Sequence, residues 1–512
     1  MSELDGLRAL ADGAVISPFT RTRRLLDGVA PIGGRRWERA STGRALRRAV
    51  CPARYRRLPS TKSKVAWGRP LTRDSGSARD PVSFVGAMGV GEQPEGKVAR
   101  HLSVLLVALT LWPAGAVAQD GGGWQYVVNT EGTYTSWRSS GGNGGLTPGI
   151  GTNGGSGSQW YVPVAIQAVG RPSSDLKLEF LVRSGEIWTR QHGAGGTVEI
   201  TSPTDTTVGI TGTYLAWAGI QPFLSLNVNI PTGRSVINGS SSNTQMDADL
   251  VPTPVFGEGW NIGPTFGLNI PFSQSLVGTL ALGYTNRGTY DRVGAFSPIT
   301  STPGVVNYDP GDVVTLNGAV GYSGDRVSLQ FSTSYSFETA TQVNDLSFYQ
   351  AGDRIVLNGK IGYVWTDTWS SRLSISYAHM DKNWIAQAGG GALVRERANS
   401  NGDIVRIAVD TTYNKGNFSI GPTGSFLFRA ANGYEQTAPE FIPERTGWSA
   451  GMIAAYAATQ QLSFNLRAEH LWVNQADNPT DLNPLNVPIP GSGIPAIMTT
   501  GWLGSVGMTL RF

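Results

Sequence analysis

From Gln119 to the end of the chain, apolar and polar residues alternate with a period of two, and this pattern recurs in segment after segment. Leu224–Ile230 alternates in this way, and so does the final stretch, Gly501–Phe512. Such segments, about 9–11 residues long, are typical of strands that cross a membrane at a tilt. No comparable stretch sustains the 3.6-residue period of an amphipathic helix. The pattern therefore predicts an all-β protein.

The connections between the predicted strands alternate between short and long. Arg171–Ser174 is a tight join, whereas Pro231–Gly257 is a long polar loop. Outer-membrane barrels have short turns on the periplasmic side and long loops outside. About 16 strands are predicted, with 14 to 18 compatible with the usual uncertainty of boundaries. They are residues 124–137, 158–169, 175–187, 206–217, 222–230, 258–270, 275–288, 311–322, 325–338, 353–365, 368–379, 403–413, 417–429, 446–458, 461–473 and 498–512.

The membrane as a solvent decides how these strands must be arranged. Lipid offers no hydrogen bonds, so every backbone N–H and C=O has to be paired within a sheet that has no free edge. The apolar row of each strand then faces lipid, and the polar row faces an enclosed, wet lumen. Turning Lys177, Lys360 or Arg406 towards lipid would cost about 2–4 kcal/mol each near the midplane. The predicted fold is a transmembrane antiparallel β-barrel, and an even strand count places both mature termini in the periplasm.

The carboxyl-terminal strand carries a resemblance. Phe512, Leu510, Met508, Val506 and Trp502 share one face and end on an aromatic residue. The strand resembles the closing strand of Gram-negative outer-membrane barrels, whose terminal aromatic residue is recognised by the barrel-assembly machinery. The resemblance implies that Phe512 is an assembly signal and that the protein is integral to the outer membrane, in contact with its lipid.

A secretory signal peptide precedes the predicted strands. Lys97 and Arg100 precede the apolar segment Leu102–Trp112, and Ala116–Ala118 provides a small-residue cleavage site. The chain therefore divides into 1–87, a mis-assigned upstream extension or a genuine disordered basic arm; 88–118, the signal peptide; and 119–512, the barrel. The single cysteine, Cys51, lies in the first part, so the mature chain has no thiol.

Charge is divided between these parts. Residues 1–118 hold 20 of the 41 Lys and Arg but 9 of the 37 Asp and Glu, leaving 21 basic and 28 acidic residues in the predicted barrel. The basic balance of the whole chain thus belongs to the leader and does not indicate nucleic-acid binding.

The polar faces of the predicted strands supply candidate pore-lining residues, and six are basic against three acidic. This balance predicts a weak preference for anions, since charges facing each other across a pore bias which solutes enter. The alternative is that they solvate the lumen and pair along the strand, as Lys177 with Glu179 and Arg467 with Glu469. The candidates are Lys177, Glu179, Arg183, Lys360, Arg372, Arg406, Asp410, Arg467 and Glu469.

The long loop after Ile230 occupies the position at which general porins fold a loop into the channel. In those proteins acidic residues of the loop face a basic wall. This chain offers Asp247, Asp249 and Glu258. The positional resemblance implies a constriction loop.

A second resemblance is to outer-membrane transporters associated with the degradation of phenol and other hydrocarbons. It lies in Leu224–Gly233, Gly257–Leu268 and Leu280–Tyr284. The chain lacks the amino-terminal plug segment expected of the related fatty-acid transporters. The resemblance therefore makes a hydrophobic solute an alternative to a polar one.

An enzyme is disfavoured, because outer-membrane hydrolases need a His with a carboxylate or Ser at the rim. The predicted mature chain has three His, at positions 192, 379 and 470, without a G-x-S-x-G or H-E-x-x-H motif. We therefore expect no catalytic residue, metal or cofactor, and a channel for the diffusion of small solutes. The alternative is a structural, adhesion or export barrel, and a homotrimer, usual for porins, stays open.

Overall fold

The computed structural model describes residues 123–140, 155–193, 196–217, 219–236, 249, 251, 256–294, 304–387, 392–438, 440–478, 481–482, 488–489 and 496–512. Within them, sixteen long antiparallel strands form a barrel. The strands are β1 Gln125–Ser139, β2 Ser156–Ser173, β3 Leu176–Gly193, β4 Thr206–Tyr214, β5 Gln221–Ile230, β6 Asn261–Pro271, β7 Leu276–Arg287, β8 Val313–Ser323, β9 Val327–Glu338, β10 Arg354–Val364, β11 Trp369–Met380, β12 Ile404–Lys415, β13 Phe418–Arg429, β14 Arg445–Ala457, β15 Leu462–Gln475 and β16 Ile497–Arg511.

The sheet closes where its first and last strands meet. β1 pairs with β2 on one side and with β16 on the other, with Thr130 opposite Met508. Phe512 extends the closing pair, because its N–H donates to the carbonyl of Tyr126 at 2.9 Å. Closure leaves no edge strand to template aggregation or to expose unpaired backbone groups to lipid.

The apolar and polar rows of the strands lie on opposite faces of the wall. Leu224, Phe266 and Val506 face outward and are 61%, 57% and 63% exposed. The positions between them, such as Ser225, Thr265 and Ser505, face inward. Because large apolar side chains are exposed on the outward face of most strands and the inward positions between them are polar, the predicted assignment of faces and the fold class are confirmed.

The two ends of the barrel differ. At one end, called here the turn end, short connections such as residues 272–275 join the strands, and both Gln125 and Phe512 lie there. At the other, the loop end, the connections are long. Three of these long connections form a second, six-stranded sheet made of Tyr290–Gly294, Gly304–Asp309, Thr341–Val343, Leu346–Gln350, Trp384–Ala386 and Leu393–Arg395.

All sixteen predicted strands are present, and the main differences lie in β2, β3 and β4. β3 is longer than predicted because it continues at the loop end, where Gly196–Pro203 pairs with it, whereas β2 is longer mainly at the turn end, where it runs on to Ser173. β4 ends at Tyr214 rather than Trp217. The predicted leader, residues 1–118, lies outside the described residues, so the signal peptide stays a prediction.

The described part of the chain holds no helix with the length and apolar content needed to cross a bilayer.

Candidate functional site

Asp249, in the loop between β5 and β6 (residues 231–260, the β5–β6 loop), contacts the opposite wall of the barrel. Its carboxylate is 0% exposed and accepts from Arg406 at 3.0 Å, Arg429 at 2.8 Å and Arg445 at 3.2 Å. These arginines belong to the loop-end parts of β12, β13 and β14, about halfway around the barrel from β5 and β6. Asp249, although it belongs to the loop between β5 and β6, therefore lies against the wall formed by β12 to β14.

Apolar side chains hold the same loop against a second part of the wall. Val251 packs with Trp137 of β1 and with Leu471 and Val473 of β15. Burying a side chain of this kind stabilises a docked segment by about 1.5–3 kcal/mol. The loop is therefore attached at its centre by both charge and apolar burial.

Phe256 provides the corresponding contact closer to the β6 end of the loop. It is buried against Tyr161 of β2, Ile187 of β3 and Ile200 of the short strand paired with β3. The loop thus covers the sector of the barrel formed by β15, β16, β1, β2 and β3.

Asp205, just before β4, ties the two ends of the β5–β6 loop together. One carboxylate oxygen accepts the backbone N–H of Gly233 at 2.9 Å, and the other accepts the N–H of Glu258 at 2.7 Å and Nδ2 of Asn229 at 2.7 Å. A Cβ at Gly233 would lie 1.8 Å from the carbonyl oxygen of Phe256. Glycine is therefore required where the two legs of the loop touch.

Tyr290, a residue of the second sheet, packs against the base of the β5–β6 loop, where the two ends of the loop meet. Its ring lies against Gly259, whose φ of +83° favours glycine, and it makes an edge contact with Tyr308 at 5.4 Å between centroids. Burial raises the pKa of the Tyr290 phenol far above its ordinary value of 10.0. The base is thus packed as well as hydrogen-bonded.

The inward face of the barrel is covered in one sector and accessible in another. In the covered sector, inward polar side chains are buried, among them Thr135 of β1, Thr189 of β3 and Thr499 of β16. Across the barrel, Asn227 of β5 and Gln330 of β9 also face inward, yet they are exposed. Such exposure on an enclosed face means that this sector of the wall, from β4 to β12, borders open space.

The charged residues on the accessible wall are mainly basic. The Arg372 side chain is 65% exposed, and its contact with Asp410 is long, at 3.5 Å. Lys360, on the neighbouring strand β10, faces inward diagonally from Arg372, since Lys360 pairs with Ser374 and Arg372 with Gly362. Asp410 also accepts from the Thr423 hydroxyl at 2.6 Å. The positive charge of this wall is therefore only partly neutralised.

A compact network occupies the wall between β12 and β15. Glu469 is buried and bound by Arg467, by the Ser449 hydroxyl at 2.5 Å and by the Thr423 hydroxyl at 3.2 Å. Because the single hydroxyl of Thr423 lies between the carboxylates of Asp410 and Glu469, these groups connect four neighbouring strands. The predicted pairing of Arg467 with Glu469 is present here, and so is that of Lys177 with Glu179 on β3.

Every predicted pore-lining residue lies on the inward face, and the structure separates them into distinct groups. Lys177, Glu179 and Arg183 are on β3, whereas the other candidates are on β10, β11, β12 and β15. Asp249 meets Arg406, one of these candidates. Glu258 lies at the base of the loop rather than at its centre, and Asp247 lies outside the described residues.

Sequence reasoning missed Arg429, Arg445 and Asp205. The alternation of β13 places Arg429 on the same face as Thr423, so a signal for its direction was present. Arg445 opens β14 opposite Arg429, where uncertainty about the strand boundary hid it. Asp205 stands in a connection, and nothing in its neighbourhood indicates that it binds residues near positions 233 and 258.

The three histidines of the predicted mature chain serve structural contacts. His379 bonds through Nδ1 to Asp403 at 2.7 Å, and His192 bonds through Nδ1 to the Thr197 hydroxyl at 2.7 Å. His470 packs between Trp472 and Trp502 on the outward face. Among the described residues, no group of three or more His, Cys, Asp or Glu is arranged to hold a metal.

No family model and no curated protein matches the chain. Solved structures do. An outer-membrane channel from Pseudomonas putida F1 is 13% identical over 58% of this chain and 98% of its own, with a TM-score of 0.33. The P. putida toluene transporter TodX is 11% identical over 77% and 90%, with a TM-score of 0.32. A FadL homologue of Pseudomonas aeruginosa is 9% identical over 76% and 90%, with a TM-score of 0.37. At these identities and TM-scores, the similarity is one of fold alone.

Proposed function

We propose that this protein is a channel of the outer membrane through which small solutes diffuse, and that it is not an enzyme and needs no cofactor. The observation that carries the proposal is the closed barrel whose outward face is apolar and exposed while part of its inward face is polar and exposed. A barrel of sixteen strands is too wide to be filled by its own wall side chains, so it encloses space.

The membrane location follows from the exposed apolar face. Large apolar side chains are exposed around the barrel, and water would leave them unfavourably solvated. With the usual orientation of such barrels, the turn end and both mature termini are periplasmic, and the long loops face outward. The proposal includes export through the predicted signal peptide and insertion by the barrel-assembly machinery through Phe512.

The solute path we propose runs along the accessible wall from β4 to β12. The β5–β6 loop covers the other sector and narrows the mouth, held there by Asp249 and its three arginines. Asn227, Gln330 and Ser332 supply hydrogen-bonding groups along the path, as in water-filled pores. This role of the loop matches the constriction expected from its position.

Lys360 and Arg372 give the path its selectivity in this proposal. Asp410 offsets one of them, so a weak preference for anions is expected. The class of solute is otherwise open between polar and hydrophobic molecules.

Planar-bilayer recording tests the proposal. Purified protein added to a bilayer should produce stepwise, lasting ion currents, and a KCl gradient should give a reversal potential of the sign for weak anion preference. Heat-denatured protein from the same preparation is the control. Folded protein that produces no steps refutes the channel, and clear cation selectivity refutes the assigned pore charges.

A further inference from the structure

Two basic side chains stand together on the accessible wall of the lumen. Lys360 of β10 pairs across the sheet with Ser374 of β11, and Arg372 of β11 pairs with Gly362 of β10. The two basic residues are therefore diagonal neighbours on the inward face, with their Cβ atoms roughly 7 Å apart. Their like charges are close enough to repel each other. Both side chains are long enough for their charged ends to contact one shared ligand.

The carboxylates of the described wall neutralise this pair only in part. Asp410 lies on the side of Arg372 away from β10, and its oxygen is 3.5 Å from the guanidinium. Among the described residues, Lys360 forms no ion pair, whereas Lys177, the other lysine among the predicted pore-lining residues, has Glu179 as its partner. This stretch of the wall therefore carries a net positive charge.

Neutral hydrogen-bonding groups surround the two cations. Gln330 of β9 pairs with Lys360, and Ser328 of the same strand pairs with Gly362. A Cβ at Gly362 would collide with the hydroxyl oxygen of Ser328. The hydroxyl thus lies over the glycine, which is two residues from Lys360 and directly opposite Arg372. With no side chain at position 362, the two cations and the hydroxyl border one recess in the wall.

We infer that this recess, called here the oxyanion site, binds a small tetrahedral oxyanion such as inorganic phosphate. Its members are Ser328, Gln330, Lys360, Arg372 and Ser374. The oxygens of phosphate can accept from an ammonium, a guanidinium and several neutral donors at once, whereas a carboxylate has only two oxygens. Asp410 lowers the net charge beside the site, so that a bound anion can also leave, as conduction requires. This inference rests on the proposed channel, because it names the class of solute that passes along the accessible wall.

Isothermal titration calorimetry on the detergent-solubilised full-length barrel tests the site without relying on ion current. Inorganic phosphate at pH 8 is the probe, and acetate and chloride at equal ionic strength are the comparison anions. We expect phosphate to bind at least about tenfold more tightly than either, because one additional charge-assisted hydrogen bond contributes about that factor. No phosphate binding, or an affinity for phosphate equal to that for either comparison anion, overturns the inference.

Two lysine variants place the site on the protein. Lys360→Gln should weaken phosphate binding about tenfold or more, because it replaces the ammonium with a neutral amide. Lys415→Gln makes the same change at an exposed position at the turn end of β12, so its affinity should equal that of the unmodified protein. Unchanged binding by folded Lys360→Gln, verified by its heat-modifiable migration, overturns the inference, and so does equal weakening by both variants.

Two glycine variants test the recess without changing any charge. Gly362→Ala places a methyl group against the Ser328 hydroxyl, which must rotate away, and phosphate binding should weaken about threefold or more. Gly359→Ala is the matched control, because this glycine is on the outward face of the same strand and its Cβ position has open space around it. Equal phosphate affinity in the two folded variants overturns the inference.

Planar-bilayer recording from the same preparations separates the two proposals. If currents appear but phosphate does not bind, the channel stands and the oxyanion site is refuted. If phosphate binds as expected and no currents appear, the oxyanion site stands and the channel is refuted.

Discussion

Asp249→Asn should loosen the β5–β6 loop from the barrel wall. The carboxylate of Asp249 is fully buried, and three arginine nitrogens lie 2.8–3.2 Å from its oxygens. Removing one partner from a buried ionic cluster costs about 3–5 kcal/mol, because the remaining charges are left without compensation. At about 1.4 kcal/mol for each factor of ten, the docked loop becomes roughly 10²- to 4 × 10³-fold less favoured relative to an undocked one.

The loop should nevertheless remain attached at both ends. Val251 and Phe256 contribute about 1.5–3 kcal/mol each, and Asp205 ties the loop base independently of Asp249. The expected phenotype is therefore an intact barrel with a mobile constriction. In planar bilayers the variant should show larger and noisier single-channel currents. Its anion preference should also increase, because one negative charge has been removed from beside Arg406, Arg429 and Arg445.

The matched control is Glu199→Gln, which makes the same change of carboxylate to amide in an exposed pair with Arg190. Exposed ion pairs contribute about 0–1 kcal/mol, so conductance and selectivity should be unchanged. If Asp249→Asn also leaves conductance, current noise and reversal potential equal to those of the control, the loop does not govern the pore and the reasoning above is wrong.

Three further changes test other parts of the structure. Asp205→Ala removes the carboxylate that accepts the N–H groups of Gly233 and Glu258, which should destabilise the base of the loop by roughly 2–4 kcal/mol. Limited proteolysis should then show faster cleavage of the loop by trypsin. An unchanged cleavage pattern would mean that packing alone holds the base of the loop. Lys360→Glu should move the reversal potential towards cation selectivity, whereas no movement would place Lys360 away from the ion path. Deletion of Phe512 removes its backbone pairing with the first strand and the expected assembly signal, so the yield of heat-modifiable protein in outer membranes should fall; an undiminished yield would refute that role.

The strands and their two faces could be predicted from the sequence for a physical reason. The lipid and the lumen impose opposite solvents on neighbouring residues, so every second position carries the signal, as at Leu224 and Leu226 against Ser225. Strand closure also follows from the sequence, since lipid excludes an open edge. Boundaries were less certain at the loop end of β3, because lipid does not fix the outer face of the residues that pair with Gly196–Pro203 there.

The candidate site was only half accessible to such reasoning. Alternation assigned Lys360, Arg372 and Arg406 to the lumen, and a positional resemblance pointed to the loop that carries Asp249. Neither the alternation nor the positional resemblance predicts that Asp249 forms ion pairs with Arg406, Arg429 and Arg445.

The sequence by itself determined which face of each strand contacts lipid and which contacts water. A barrel with an apolar exterior and a polar interior follows from that assignment. Only the tertiary structure decided which lumen residues meet. Asp249 lies 157 residues before Arg406 and 196 before Arg445. A period of two records which side of the wall a residue faces and carries no information about what lies across the barrel. That depends on the curvature of the whole sheet and on the path of one loop through the space it encloses.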